Sequence, residues 1–207
     1  MIRVRSFFVA VFCTFFVVCG LSTAAFSASP TKELRPTLDG IMAIITDQSF
    51  AGEEHKALRR SKIMAVANQG FDFAMMSKLV LGKTWKTIDT QQRDIFKEQF
   101  TKLLENAYIG KLEDYTGQVT KYIGERVKGK KAEVSTLMEN NGITLPVNYI
   151  MVNNGMGWKV YDIKIEGVRL LRNYRAQFKS IVKKEKFEGL VRVLEEKNAD
   201  FAKEGSK

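Results

Sequence analysis

Cysteine and histidine are almost missing from this chain of 207 residues. Two cysteines, Cys13 and Cys19, and one histidine, His55, are present. That set cannot supply a four-ligand zinc site made only of His and Cys. Catalytic triads that need a positioned histidine are disfavoured for the same reason. Three prolines exclude a proline-rich or collagen-like chain. No internal repeat, low-complexity stretch or Gly-rich phosphate loop is recognisable. Only the first segment carries a long apolar run, and the rest has none of membrane-span length. Acidic residues are the minority: 23 Asp and Glu face 33 Lys and Arg, a net charge of +10. With 45% hydrophobic and 27% charged residues, the composition is that of a globular chain.

The first segment sets the expected compartment. Arg3 and Arg5 precede an apolar run over Phe7–Val18, and small residues follow from Gly20 to Ala28. This is the layout of a signal peptide, with cleavage after Ala25 or after Ser27. An uncleaved N-terminal anchor is the competing reading. Lipidation at Cys19 fits less well, because Val18 stands where a small residue is expected. The expected organisation is a signal peptide over residues 1–28 and one domain over 29–207. Both cysteines fall in the removed segment, so the exported domain has no disulfide and no thiolate nucleophile. Removing Arg3 and Arg5 leaves 31 basic residues against 23 acidic, a charge of +8. Outside the cytoplasm the anionic surfaces on offer are mainly lipid, which makes nucleic acid a poor partner.

Hydrophobic periodicity divides the remainder into helices, then strands, then helices, an α+β arrangement. Helical spacing is expected over Ser29–Asp47, Glu53–Gln69 and Phe71–Leu81, with Pro36 near the first turn of the first. Asp89 and Gln92 form a capping-box-like start. The helix it opens runs to Tyr115 and carries Phe96, Phe100, Leu103, Leu104, Ala107, Tyr108 and Leu112 at three- and four-residue steps. From Gln118 the period becomes two. Four strands are predicted, Gln118–Arg126, Lys130–Met138, Ile143–Val152 and Gly157–Glu166, joined by Gly- and Asn-containing turns into an antiparallel meander. In the last strand Tyr161, Ile163 and Ile165 share a face, with Trp158 and Val160 divided between the two. Val168–Val182 and Phe187–Phe201 return to helix. His55, among Glu53, Glu54 and Lys56, belongs on an exposed helix surface.

Four ordered blocks make the chain recognisable. The first is Phe71-Asp72-Phe73 followed by Leu81-Gly82 and Trp85. The second is Gln92-Arg93, then Phe96, Phe100, Leu103-Leu104, Tyr108 and Tyr115. Leu145-Pro146-Val147-Asn148-Tyr149 is the third. The fourth is Gly157-Trp158-Lys159-Val160-Tyr161-Asp162-Ile163, continuing through Glu166-Gly167-Val168 to Asn173-Tyr174-Arg175 and Phe178. From about Ser29 to about Asn198 the chain resembles the MlaC family, also called the toluene-tolerance auxiliary family. It departs from the usual pattern at Arg169, where a Ser is common, and at Thr84, where an aromatic residue or His is common. Arg169 puts in doubt any helix-start hydrogen bonding a Ser would provide.

The resemblance implies a twisted four-stranded antiparallel sheet packed against several helices around an apolar lipid-binding cavity. It implies a soluble periplasmic carrier that holds phospholipid acyl tails and needs no catalytic residue, metal or cofactor, the lipid being cargo. The implied partners are an outer-membrane lipoprotein–porin complex and an inner-membrane ABC lipid-transport complex with a ring-forming lipid-binding subunit. Shuttling between them would maintain outer-membrane lipid asymmetry. Some relatives handle hopanoids, so another lipid is the alternative cargo, and a cavity-type α+β enzyme is a more distant one. On this reading the cavity wall is drawn from Phe71, Phe73, Trp85, Phe96, Phe100, Leu103, Leu104, Tyr108, Val147, Tyr149, Trp158 and Val160. Each of these is equally compatible with ordinary core. The basic groups Lys128, Lys130, Lys131 and Lys183, Lys184, Lys186 are solvated loops or docking points for acidic partners or anionic lipid.

Overall fold

A computed structural model describes residues 29–113, 119–140 and 142–204. The predicted signal peptide, Tyr115 and Gln118 lie outside the described residues. Among the described residues are five α-helices: α1 (Pro30–Thr46), α2 (Lys56–Gly70), α3 (Phe73–Leu81), α4 (Thr90–Glu113) and α5 (Leu170–Glu204). Five strands are β1 (Val119–Lys128), β2 (Lys131–Asn140), β3 (Ile143–Asn153), β4 (Trp158–Ile165) and β5 (Val168–Arg169). Among the described residues no helix is long and apolar enough to cross a membrane.

Local chemistry sets the helix starts. Ser29 caps α1 by accepting from the Lys32 amide, and Pro30 opens the helix where its missing N–H costs nothing. Pro36 therefore sits in the second turn, not the first. The capping box at α4 forms in both directions. The Gln92 amide donates to Asp89 Oδ1 at 2.8 Å, and the Asp89 amide donates to Gln92 Oε1 at 3.1 Å. Phe71 and Asp72 are outside α3. Asp72 is its N-cap, accepting from the Met75 amide at 2.7 Å. His55 is half-buried at the start of α2, at the end of a short 3-10 turn.

The sheet is an antiparallel meander in the order β1-β2-β3-β4-β5. The fifth strand is two residues long, too short to show a period, and corrects the expected four. It pairs Arg169 with Lys164 and Val168 with Ile165 before the chain enters α5. A second correction concerns β4. Ile150 pairs with Asp162 and Met151 with Val160, which leaves Tyr161 as an extra, bulged residue. The bulge switches the inward parity. Trp158 and Val160 therefore share the inner face with Ile163 and Ile165, all in or against one apolar cluster. A matching irregularity in β1 leaves Ile123 unpaired and 59% exposed.

The C-terminal span α5 is two helices meeting at a break, as expected, but the link is narrower than expected, since Lys183 and Lys184 are still helical. The kink is at Lys186, whose backbone has φ 63° and ψ −169°. The preceding β4–α5 junction is tied by Asp162. Its Oδ1 accepts from the Leu171 amide at 3.0 Å and the Ile163 amide at 2.9 Å, and its Oδ2 accepts from Arg169 Nε at 2.7 Å. A buried carboxylate thus supplies the acceptor at the start of α5, and Arg169 supplies its counter-charge.

Candidate functional site

A domain of this size normally builds one contiguous apolar core with smaller satellite clusters around it. Here the buried side chains fall into three clusters. One joins α3, α4 and α5 through residues such as Met76, Val80, Phe96, Phe100, Phe178 and Leu190. The second joins α1 to the inner face of the sheet through Leu34, Leu38, Val134, Val147, Tyr149, Met151, Trp158 and Val160. The third, Ile41, Ile63, Ala67 and Ile109, joins α1, α2 and the far half of α4.

Three side chains touch more than one cluster. Phe71 packs against all three, Phe73 against the first and third, and Ile163 against the first and second. All three are only half-buried. Junction residues of a closed core would be its most buried members, because neighbours surround them on every side. Tyr108, Ile44, Ile45, Met64, Met138, Leu145 and Ile165 are likewise apolar, packed against a cluster and half-buried.

Local chemistry holds the junction in place. Phe71 forms an isolated parallel bridge with Val160, and the Asp72 amide donates to the Val160 carbonyl at 2.8 Å. The Phe71 and Phe73 rings stack with centroids 5.9 Å apart. Gly70, just before them, ends α2 where a Cβ would lie 2.3 Å from Thr37 Oγ1, so only glycine permits this approach of α2 to α1.

The twelve residues expected from the sequence separate into distinct settings. Phe71, Phe73, Trp85 and Tyr108 are half-buried, and the other eight are buried. Val147, Tyr149, Trp158 and Val160 lie together on the inner face of the sheet. Phe96, Phe100, Leu103 and Leu104 lie together in the α3–α4–α5 cluster. Phe96 and Phe100 stack at 5.6 Å, and both meet Phe178 edge-on at 5.9 and 5.7 Å. Trp85, in a 3-10 turn before α4, packs against the edge of that same cluster. Arg93 lies 5.5 Å from its ring centroid and donates from Nε to its carbonyl at 3.1 Å. Ile163 was absent from the expected set. Its signal was present in the β4 alternation, but the Tyr161 bulge concealed which parity points inward.

Polar groups around this interior are mostly neutral. Tyr108 on α4 and Tyr174 on α5 lie near one another, and burial raises the pKa of both phenols. Burial also raises Tyr149. Tyr122, under the Arg35 guanidinium at 4.0 Å, is pushed up to about 12 by burial and the nearby Asp39 carboxylate. Trp158 Nε1 is buried with no hydrogen-bond partner among the described residues. Charged pairs gather on the opposite face of the sheet. There Glu133 takes Lys164 at 2.6 Å and Arg126 at 3.2 Å, beside an open polar groove of about 490 Å³. Among the described residues no group of three His, Cys, Asp or Glu side chains is placed to hold a metal.

The MlaC protein family profile matches residues 35–196. The chain is 25% identical over 193 residues to the intermembrane phospholipid transport system binding protein MlaC of Haemophilus influenzae, covering 84% of each chain. It is 32% identical over 90 residues to the toluene tolerance protein Ttg2D of Pseudomonas putida, a match that spans 42% of each. A solved phospholipid-binding protein from Ralstonia solanacearum, in complex with a phospholipid, superposes with a TM-score of 0.76 at 26% identity. That alignment covers 84% of this chain and 99% of the other. The profile covers most of the described chain, the recognisable blocks lie at the junction and in the elements around it, and the chain belongs to the MlaC family.

Proposed function

We propose that the space where the three clusters meet takes the acyl tails of a phospholipid, and that the protein is a periplasmic carrier of that lipid. The observation that carries this reading is the half-burial of Phe71, Phe73 and Ile163 at the junction. These side chains and Tyr108 form the surface that the tails touch. Val147, Tyr149, Trp158 and Val160 form the sheet side of the wall, and Phe96, Phe100, Leu103 and Leu104 the helical layer. Trp85 braces the start of α4. The phospholipid bound by the Ralstonia protein supports the choice of cargo.

Energetics favour a shielded interior. Each buried methylene is worth about 0.8 kcal/mol, so two tails of about fifteen methylenes resist crossing water by roughly 20 kcal/mol or more. A carrier replaces that water with side chains and needs no nucleophile, metal or general base. Its partners are an outer-membrane lipoprotein–porin complex and an inner-membrane ABC complex with a ring-forming subunit. Passage of lipid between them maintains outer-membrane asymmetry. The experiment incubates the protein with labelled phosphatidylethanolamine and separates free from bound lipid. The reading requires label to comigrate with the protein and to be recovered chemically intact. Hydrolysed label would favour an enzyme, and label left wholly in the free fraction would remove the carrier.

A further inference from the structure

The charge excess is concentrated on one side of the molecule. Residues 73–88, which contain α3, carry Lys78, Lys83 and Lys86 and no acidic residue. Residues 168–184, which lead into and form the first half of α5, carry six cations and again no acidic residue. Arg172, Arg175, Lys179 and Lys183 recur at three- and four-residue steps, so they share one face of α5 over about 17 Å of helix. All four are exposed, while Leu170 on the opposite face is buried and Tyr174 and Ile181 there are half-buried.

The two segments form one surface. α3 packs against α5. Arg175 reaches the end of α3, where a Cβ on Gly82 would lie 2.7 Å from its guanidinium. Lys78 and Lys83 are exposed on either side of that contact. Among the described residues Lys78, Lys83, Arg172, Arg175, Lys179 and Lys183 are in no ion pair. Glu185 is taken by Arg192, and the buried Asp162 by Arg169.

We propose that this α3–α5 face is an electrostatic docking surface for an anionic lipid bilayer. Protein interfaces are anchored by exposed apolar and aromatic side chains. The large exposed apolar residues of the described chain are Leu58, Ile95, Ile123, Val127, Ile143, Met156 and Val168; Val168 alone lies in either segment, in the strand before α5, and the cationic row of α3 and α5 itself holds none. A row of cations without an anchor matches a surface of mobile anionic head groups, which gather around it without needing a fitted pocket. The same lack of an anchor keeps the protein from inserting, so the contact is reversible and weakened by salt. This surface is independent of the cargo reading, because it is built on the outer face of helices whose inner faces form the core.

Vesicle flotation of the full chain tests the proposal. One set of vesicles is pure phosphatidylcholine, and the other contains roughly one-third phosphatidylglycerol, where each basic residue near the surface adds to binding. The neutral set accounts for any binding by the apolar N-terminal run. At low salt the protein should partition at least tenfold more strongly onto the anionic vesicles, and the difference should shrink at about 0.15 M salt. Arg172→Glu/Lys179→Glu/Lys183→Glu should lose that preference by tenfold or more. Lys128→Glu/Lys130→Glu/Lys131→Glu makes the same net charge change on the β1–β2 hairpin and should keep most of it. The neutral set Arg172→Gln/Lys179→Gln/Lys183→Gln reads the same loss if the charge reversal disturbs folding. Two results overturn the proposal: equal binding to both vesicle types, which would leave an acidic protein as the partner of this face, and equal losses in the α5 and hairpin variants.

Discussion

Phe71 is held beside Val160 by a parallel bridge, so a residue between two helices is anchored to the fourth strand. The bond from the Asp72 amide to the Val160 carbonyl fixes the backbone whatever the side chain at position 71. Phe71→Ala therefore removes the ring without releasing the chain. A fully buried Phe→Ala change costs about 3–5 kcal/mol, and a half-buried ring less, about 1–3 kcal/mol. Lipid retention should fall more sharply, because the ring lies where the three clusters meet. Denaturation midpoints of delipidated protein, with lipid quantified separately, resolve the two effects, since bound lipid itself stabilises. Unchanged lipid content with a lowered midpoint would make Phe71 ordinary core.

Asp162 is the only described acceptor for Leu171 N–H at the start of α5, and it is 2% exposed. Asp162→Ala should cost about 2–3 kcal/mol, since it leaves a buried donor unpaired and removes the partner of Arg169. Arg169→Ser should cost about 1 kcal/mol or less, because the arginine side chain is 45% exposed and its pairing is weakened by solvent. Chemical denaturation of both variants checks the order. A larger loss in Arg169→Ser would put the weight of the junction on the ion pair, not on the helix cap.

Lys186 adopts a backbone conformation that is essentially reserved for glycine. Three residues on, Gly189 passes Glu185 so closely that a Cβ would lie 2.3 Å from the Glu185 Cβ. Lys186→Gly should stabilise the protein by about 1 kcal/mol, raising its midpoint by roughly 2–4 °C. Gly189→Ala should lower it. The kink is an avoidable strain only if both signs are observed in thermal melts.

Much of this architecture was legible in the amino-acid sequence. The helix expected from Asp89 is α4 with its capping box, described as far as Glu113, and the Gly- and Asn-containing turns mark the meander. What stayed hidden has specific causes. A single extra residue at Tyr161 reverses the inward face of β4 without any residue type announcing it. Two-residue β5 has no period to detect. The pairing of Arg169 with Asp162 needs the β4–β5 hairpin to bring them together. Helical periodicity revealed which side chains are apolar, but a cavity wall and a solid core share that period. The proposed distinction rests on half-burial at Phe71, Phe73 and Ile163, which only the fold supplies.

Alkaline pH should destabilise the protein through its phenols. Burial raises Tyr108, Tyr122, Tyr149 and Tyr174 above the ordinary value near 10, Tyr122 to about 12. Folding thus favours their neutral forms. The contribution is fully present below pH 10 and is lost as pH rises through the folded values. Phenolate absorbance and circular dichroism followed together should show these tyrosines ionising in step with unfolding. Complete ionisation near pH 10 in a folded protein would contradict their burial.

The central claim is that the apolar interior holds a lipid. Native mass spectrometry of the purified, untreated protein measures this directly. The account predicts a species heavier than the bare chain by one phospholipid, released on activation and diminished in Phe71→Ala. A protein that appears only at the mass of its polypeptide, even after incubation with excess phospholipid, would contradict it.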